Sequence, residues 1–370
     1  MSAILPSTEN VYCIAYWAVF VSSISVMRKK QSAGGPGIRE VAKAAGVSVA
    51  TASRVMAKAD YPVAAETRQR VLDAARELNF VPNALARGLV RSKTDTIGVI
   101  VPGIINPYYA AMVEAIDREA RSHGLTTLLA LTDGSEARRE EIIDELVSRR
   151  VDGLIVCAGA DDHRPGRGPE ALSVPVVLIG EQPNLGFPIV LTDNQKAGFE
   201  ATQYLWSLGH RHFVYLTSLA SWHDFHQRGQ GMMAFLKGVH EKAEAEICDG
   251  LFGEADAYQR VAAMCAAGLS ATAILASTDR HALGALAALA DAGIKVPSQV
   301  SVMGFDDYIT SGFIRPALTT MQMPAADMGR QAVKALVGHL DAPAQIETIQ
   351  LHAVLIERSS TSIAQNRGPA

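Results

Sequence analysis

From Thr96 onward the chain alternates short β-rich apolar runs with stretches whose apolar residues recur at helical spacing, and few folds accept that grammar. TIGVIVP precedes a segment from Tyr109 to His123 in which Met112, Val113, Ile116 and Ala120 share one helix face. LTTLLAL, the helix Arg138 to Arg149, VDGLIVC and VPVVLIG continue the alternation. A second set runs through helix Gln195 to Leu208, strand HFVYLT, helix Arg228 to Glu241, strand ATAILAS, helix His281 to Ala292 and strand VSVMGFDD. Apolar strands separated by helices predict parallel sheets covered on both faces, here as two doubly wound α/β subdomains. Ligands of such sheets sit at the carboxyl ends of strands, which points to the cleft between the halves.

Ile38 to Val55 reads differently. Ile38, Val41, Ala42 and Ala45 predict a short helix, Gly46 supplies a turn that needs positive φ, and Ser48 is placed to cap a second helix. In that helix Ala52 and Val55 continue the apolar stripe while Thr51 and Arg54 point elsewhere. Val71, Leu72, Ala75 and Leu78 predict a third helix over about Ala64 to Leu78 that closes a small all-α core. Charge is concentrated here. Arg28 to Lys93 holds thirteen Lys and Arg against five Asp and Glu, so within a chain of net charge -4 the remaining residues carry -12. A basic module on an acidic body suits nucleic-acid binding confined to one end.

GVSVATASRV and VAAETRQRVLDAARELNFVPNALARGL closely resemble the DNA-binding headpiece and hinge of the Lac repressor/Gal repressor family, without a gap from Ile38 to Leu89. The body resembles the effector domain of that family and the type I periplasmic binding proteins. INPYYAAMVEAIDREARSHG, RRVDGLIV, DNQKAGFEATQYLWSLGHRHFVYL, TDRHALGAL and KVPSQVSVMGFDD with PALTT carry the likeness over nearly all of Thr96 to Arg358. The resemblance implies an N-terminal extension (1–34), a helix-turn-helix headpiece (35–80), a hinge helix and linker (81–95), an effector and dimerisation domain (96–358) and a tail (359–370). It also implies a chain that crosses between the two halves near Asp193, Met321 and Ala344, giving a first half of 96–192 plus about 322–344 and a second of 193–321 plus about 345–358. Because the headpiece of such proteins starts near the N-terminus, Met27 is the expected native start. The family's tetramerising heptads are absent after Arg358, so a homodimer is expected.

On operator DNA, the resemblance assigns Arg54 to a guanine or a phosphate, and Ser48 and Thr51 to phosphates or base edges. Val49 and Ala50 stand where relatives read their operators, and Ser53 is grouped with them. In the hinge, Asn83, Ala86 and Leu89 share a face, and Leu89 matches a leucine that wedges into the minor groove; the plainer reading of Leu89 is linker packing. In the cleft, Arg228 matches an arginine that grips a ligand hydroxyl or carboxylate, and Asp306 matches a carboxylate that takes two hydroxyls. Asn106, Tyr108, Tyr109, Glu181 and Asp279 are further candidates, and Thr278 departs from the Asn of relatives. Trp222 is either a stacking platform or ordinary packing.

Other classes fit less well. Val11 to Val26 is apolar, but at sixteen residues it is short of the roughly 20 a membrane span needs, and its positive charges follow it where a secretory signal has them before. The alternative it keeps open is a secreted solute-binding protein. Four scattered cysteines argue against a disulfide framework and suit a reducing cytoplasm, where the resemblance implies association with the nucleoid. His210 to His212 and His223 to His226 read as a strand opening and a polar loop before they read as metal ligands. No hydrolase elbow, zinc-protease motif or phosphate-binding loop occurs, so no enzyme, cofactor, metal or membrane partner is expected.

Overall fold

The computed structural model describes residues 36–57, 62–81, 93–157, 168, 171–180, 186–218, 223–341 and 347–365. They fall into two compact units that divide between Val90 and Arg91. In the first, α1 (Ile38–Ala44), α2 (Val49–Met56) and α3 (Ala65–Glu77) enclose a core of Val41, Ala42, Ala45, Ala52, Val55, Val71, Ala74 and Ala75. Small side chains dominate it, so little apolar area is buried and stability is marginal. Gly46 takes φ +63° in the turn, a conformation that any side chain would strain. Residues 1–35, with Met27 and the apolar run, and the hinge residues Asn83, Ala86 and Leu89 lie outside the described residues.

The second unit has two halves. The first contains β1 (Thr96–Val101), α4 (Pro107–Ser122), β2 (Thr126–Leu131), α5 (Glu136–Ser148), β3 (Gly153–Cys157), β4 (Val176–Ile179) and β5 (Ile189–Thr192). The second contains α6 (Asn194–Ser207), β6 (His212–Leu216), α7 (His223–Gly238), β7 (Glu244–Cys248), α8 (Glu254–Ala266), β8 (Ala273–Ala276), α9 (Asp279–Asp291), β9 (Ser301–Phe305) and β10 (Thr319–Gln322). Then α10 (Ala325–Asp341) and β11 (Thr348–Leu351) return to the first half, and β12 (Val354–Ile356) to the second.

Strand order is β11-β5-β4-β3-β1-β2 in one sheet and β12-β10-β9-β8-β6-β7 in the other. All pairs are parallel except β10 with β12. Central strands β3, β4, β8 and β9 are buried along their whole length, whereas the edge strands β2 and β7 are largely exposed, as helices on both faces require. In each sheet the order reverses beside the first strand, β1 or β6, and there the carboxyl ends open a crevice. One face of the first sheet packs on α4 and α10 and the other on α5. In the second sheet α8 and α9 cover one face, and α6 and α7 the other.

Three expectations change. The last crossing falls between Leu351 and Val354 and not near Ala344, because β11 pairs with β5 and carries residues 348–351 into the first sheet. Residues 359–365 are no free tail but part of the second half: Ser360 is fully buried, its Oγ accepting from the Thr319 amide (2.8 Å) and donating to the Val302 carbonyl (2.6 Å), and the Ala364 amide donates to the Leu208 carbonyl (2.8 Å). His223 to His226 are the first turn of α7 and not a loop, with Asp224 placed where the helix dipole favours an acid. His210, meanwhile, is buried between Thr272 and the Ser362 carbonyl, and burial holds its imidazole below the usual range.

Candidate functional site

On the headpiece, Ser48 caps α2, its Oγ accepting from the Thr51 amide at 3.0 Å and lying 2.8 Å from Thr51 Oγ1. The two hydroxyls are thereby oriented at the start of the helix. Ser48, Val49, Ala50, Ser53 and Arg54 are exposed and Thr51 is half-buried, so one polar-to-neutral face of α2 is presented outward. Arg39 and Lys43 are exposed on α1 and Arg70 and Arg76 on α3, which spreads positive charge over the same unit.

In the body, the chemistry gathers where strands end. Arg228, on α7, is 3% exposed; its Nε donates to Asn194 Oδ1 at 2.9 Å and its Nη1 to the Ser277 carbonyl at 2.5 Å. Its guanidinium lies over the rings of Phe225 and Phe305, at 5.1 and 4.8 Å, and Nη1 is 3.8 Å from Asp306 Oδ1. A buried guanidinium held by two fixed acceptors and two rings is oriented before any ligand arrives. What permits this is a helix pair without side chains between: a Cβ on Gly198 of α6 would lie 1.9 Å from the Arg228 carbonyl oxygen, and one on Gly231 of α7 would lie 1.9 Å from that of Gln195.

Asp306 and Asp307 follow β9 with φ of +110° and +60°, a left-handed bend that non-glycine residues adopt at a cost of about 1–3 kcal/mol each. The bend aims Asp306 toward Arg228 and sends Tyr308 back to the cleft. Burial raises the Asp306 carboxyl to about 6, opposed by Arg228. From the first half, Asn106 caps α4 by accepting the Tyr108 amide at 2.9 Å and also accepts the Tyr308 hydroxyl at 2.7 Å. The Tyr108 hydroxyl turns toward Met328 Sδ (3.1 Å), and its ring, edge to face with Tyr109 at 5.3 Å, packs against the cores of both halves. A cavity of 270 Å³ between the halves is lined by Asn106, Tyr109, Phe225, Phe252, Thr278 and His281, among others. Neither Arg228 nor Asp306 lines it; Arg228 adjoins it through Phe225, and Asp306 is linked to it through Tyr308 and then Asn106. A hollow of 360 Å³ at His212, Glu244 and Met264 is larger, but it lies at the amino ends of β6 and β7, the wrong end for this class of sheet.

Asp279 is a correction. It is fully enclosed, and its carboxylate accepts from Ser311 Oγ (2.5 Å), Thr320 Oγ1 (2.7 Å) and the Tyr308 amide (3.1 Å), so it braces the loop after β9 and has no oxygen facing the cleft cavity. Burial, with Asp306 nearby, raises it to about 7. Thr278 caps α9 and does reach the cavity. Glu181 and Trp222 lie outside the described residues. Residues not singled out by sequence are Asn194, Phe225, Phe252, His281 and above all Tyr308; the signal available was position, two residues beyond Asp306, itself chosen for its place at a strand end. His281 is held neutral, its imidazole depressed to about 4 by burial. Among the described residues no group of three or more His, Cys, Asp or Glu side chains could hold a metal ion.

A helix-turn-helix unit followed by two doubly wound lobes around a polar cleft defines the ligand-controlled DNA-binding regulators built on a periplasmic-binding-protein body. Residues 94–358 match the family model of periplasmic binding proteins and the sugar binding domain of the LacI family, and residues 37–83 match that of bacterial regulatory proteins, lacI family; the chain belongs to the LacI family. It is 32% identical over 329 residues to the HTH-type transcriptional repressor PurR of Mannheimia succiniciproducens, covering 87% of this chain and 98% of that protein. It is 31% identical over 334 residues to the ribose operon repressor of Escherichia coli K12, covering 87% and 99%. Among solved structures, the Lac repressor dimer bound to operator and the anti-inducer ONPF superimposes with a TM-score of 0.79 at 26% identity, covering 88% of this chain and 99% of that one.

Proposed function

We propose that this LacI-family protein is a transcriptional repressor that binds a pseudo-palindromic operator as a homodimer and is controlled by a sugar, sugar acid or nucleoside in the cleft between its α/β halves. The observation that carries the reading is the gathering of Arg228 on α7, Asp306 just after β9 and Asn106 at the start of α4, from both halves, beside a cavity sized for a small polar molecule. Repressor relatives and a structural neighbour held on operator DNA support the DNA-binding half of the reading. Arg54 and the face from Ser48 to Ser53 contact the operator, and Asn83, Ala86 and Leu89 act in the hinge, with Leu89 in the minor groove. We read the chain as a non-enzyme working in the cytoplasm at the nucleoid. The secreted solute-binder reading is disfavoured by residues 37–83, which an exported binder does not use.

Effector binding that favours one arrangement of the halves changes operator affinity reciprocally, by a coupling of about 1–3 kcal/mol. The test is a thermal-shift screen of sugars, sugar acids and nucleosides, followed by operator binding with and without the best compound. A compound that raises the melting temperature and shifts operator affinity supports the reading. Hydrolysis or turnover of the compound, or stabilisation with no change on DNA, opposes it.

A further inference from the structure

Tyr308 joins the two halves. Its Oη is 2.7 Å from Asn106 Oδ1, on the first half, and 2.6 Å from Asp306 Oδ2, on the second. Because Asn106 Oδ1 also accepts the Tyr108 amide, it is the carbonyl end of that side chain that faces Tyr308. A phenol has one proton to give. If Tyr308 donates to Asn106, the contact with Asp306 needs a proton on the carboxyl, with the phenol oxygen as acceptor. If Tyr308 donates to an ionised Asp306, two oxygens are left 2.7 Å apart with no proton between them, and the bond across the cleft is lost.

We propose that Tyr308 is a proton-dependent latch, its hydroxyl taking the place of a ligand hydroxyl between Asp306 and Asn106 and holding the two halves together when the cleft is empty. The proposal rests on the reading of the cleft as the effector site: an incoming effector displaces Tyr308, and to replace it must accept from Asp306 and donate to Asn106, as a sugar hydroxyl can. Tyr308 is poised for this part, being 7% exposed, with its amide fixed to Asp279 Oδ2 at 3.1 Å so that only the side chain need swing away. Its own phenol stays protonated, since burial beside Asp306 raises it well above the usual tyrosine range.

The groups facing Asp306 set when the latch closes. Burial, with Asp224 on α7, favours the protonated form, while Arg228 on the same helix and the hydrogen bond from Tyr308 favour the ionised form, with Tyr108 and Asp279 as further neighbours on α4 and α9. The balance holds the Asp306 carboxyl above the usual carboxylate range, at about 6, so the latch gains its proton and closes towards the acid side of neutrality.

The experiment measures the halves directly, without ligand. Spin labels go on Ala137 and Asp249, exposed positions in the first and second half, in the full chain with Cys13 and Cys265 replaced by serine. Inter-label distances are read at pH 5 and pH 8. The wild type should be short and narrow at pH 5 and open at pH 8. Tyr308→Phe should be open at both, its closed-to-open ratio at pH 5 reduced about fivefold, the weight of one net hydrogen bond. Asp306→Asn, whose amide supplies a permanent donor to Tyr308, should be closed at both. That variant leaves Asp279 intact, so it separates the latch from the other buried acid that titrates in this range. Equal distances in wild type and Tyr308→Phe at pH 5, or an Asp306→Asn cleft that opens at pH 8, would overturn the proposal. Since no ligand is present, a cleft that binds none of the screened compounds would remove the effector reading and leave the latch to be judged on the distances alone.

Discussion

The contact between α6 and α7 gives the sharpest test of how the cleft arginine is held. In Gly198→Ala the new methyl would lie 1.9 Å from the Arg228 carbonyl oxygen, where ordinary contact begins at 3.4 Å, so the helices must part by about 1.5 Å. Alanine improves helix propensity by about 1 kcal/mol, but overpacking of a rigid contact costs about 1–3 kcal/mol and here meets backbone, which has no rotamer to escape into. Taking the upper end, net destabilisation is about 2 kcal/mol, or roughly 4–8 °C in melting temperature for a body of this size. The displaced group is also the one that orients Arg228. Its partner Asn194 sits on the helix being pushed away, so the 2.9 Å bond to Nε breaks. Effector affinity should fall about tenfold or more, the equivalent of about 1.4 kcal/mol. Calorimetry and ligand titration measure the two effects, with Gly238→Ala on α7 as the control, since a methyl there meets nothing within 4 Å and should be neutral or stabilising. A Gly198→Ala protein that melts and binds like the wild type refutes the argument.

Arg228→Lys keeps the charge but has no planar fork to span Asn194 and the Ser277 carbonyl, so effector response should be lost while operator binding persists, as a gel-shift titration with and without effector will tell. Asp279 makes stability depend on pH: its folded value of about 7 stands above the unfolded carboxylate's, so the contribution is complete below about pH 4 and disappears as pH rises to about 7. His281, depressed from about 6.5 to about 4, has the opposite slope, with stability lost as pH falls from about 6.5 to about 4. The difference between wild type and Asp279→Asn is therefore the quantity to follow by calorimetry from pH 4 to 8; it should narrow as pH rises, and a constant difference would contradict the assignment. Leu89→Ala should lose most specific operator affinity while nonspecific DNA binding stays, and unchanged specific binding would return Leu89 to linker packing. Arg54→Ala should cost about 1–3 kcal/mol on the specific site.

Much of the body was legible because its strands are buried along their length and its helices carry one apolar face. Arg228 was chosen from family motif and Asp306 from motif and strand-end position, and the fold brings the two candidates within 3.8 Å of each other. What escaped was whatever depends on the return of a distant segment. β11 carries only Thr348–Leu351, half exposed, and nothing in four residues says which sheet they join. Ser360 reads as polar tail until Thr319 and Val302 are seen to need its hydroxyl. Asp279 looks like a ligand residue by its place at a strand end, and only the three donors around it show the carboxylate spent inside the fold. Tyr308 offers no motif at all; its meaning comes from the bend at Asp306 and from Asn106, two hundred residues earlier in the chain.

The three crossings between the halves also order events during synthesis. The first sheet waits for β11, and α10, which covers much of one face, is made only after β10 of the other half. At about 5–20 residues per second, the stretch from Thr192 to Leu351 takes about 8–32 s to emerge, during which β5 keeps an unpaired edge. The second sheet closes later still, with β12. Neither half is a contiguous piece that a nascent chain can finish and set aside, so the body is a single late-maturing unit, while the headpiece, encoded first and local in its contacts, can form well before there is a ligand-binding cleft to govern it.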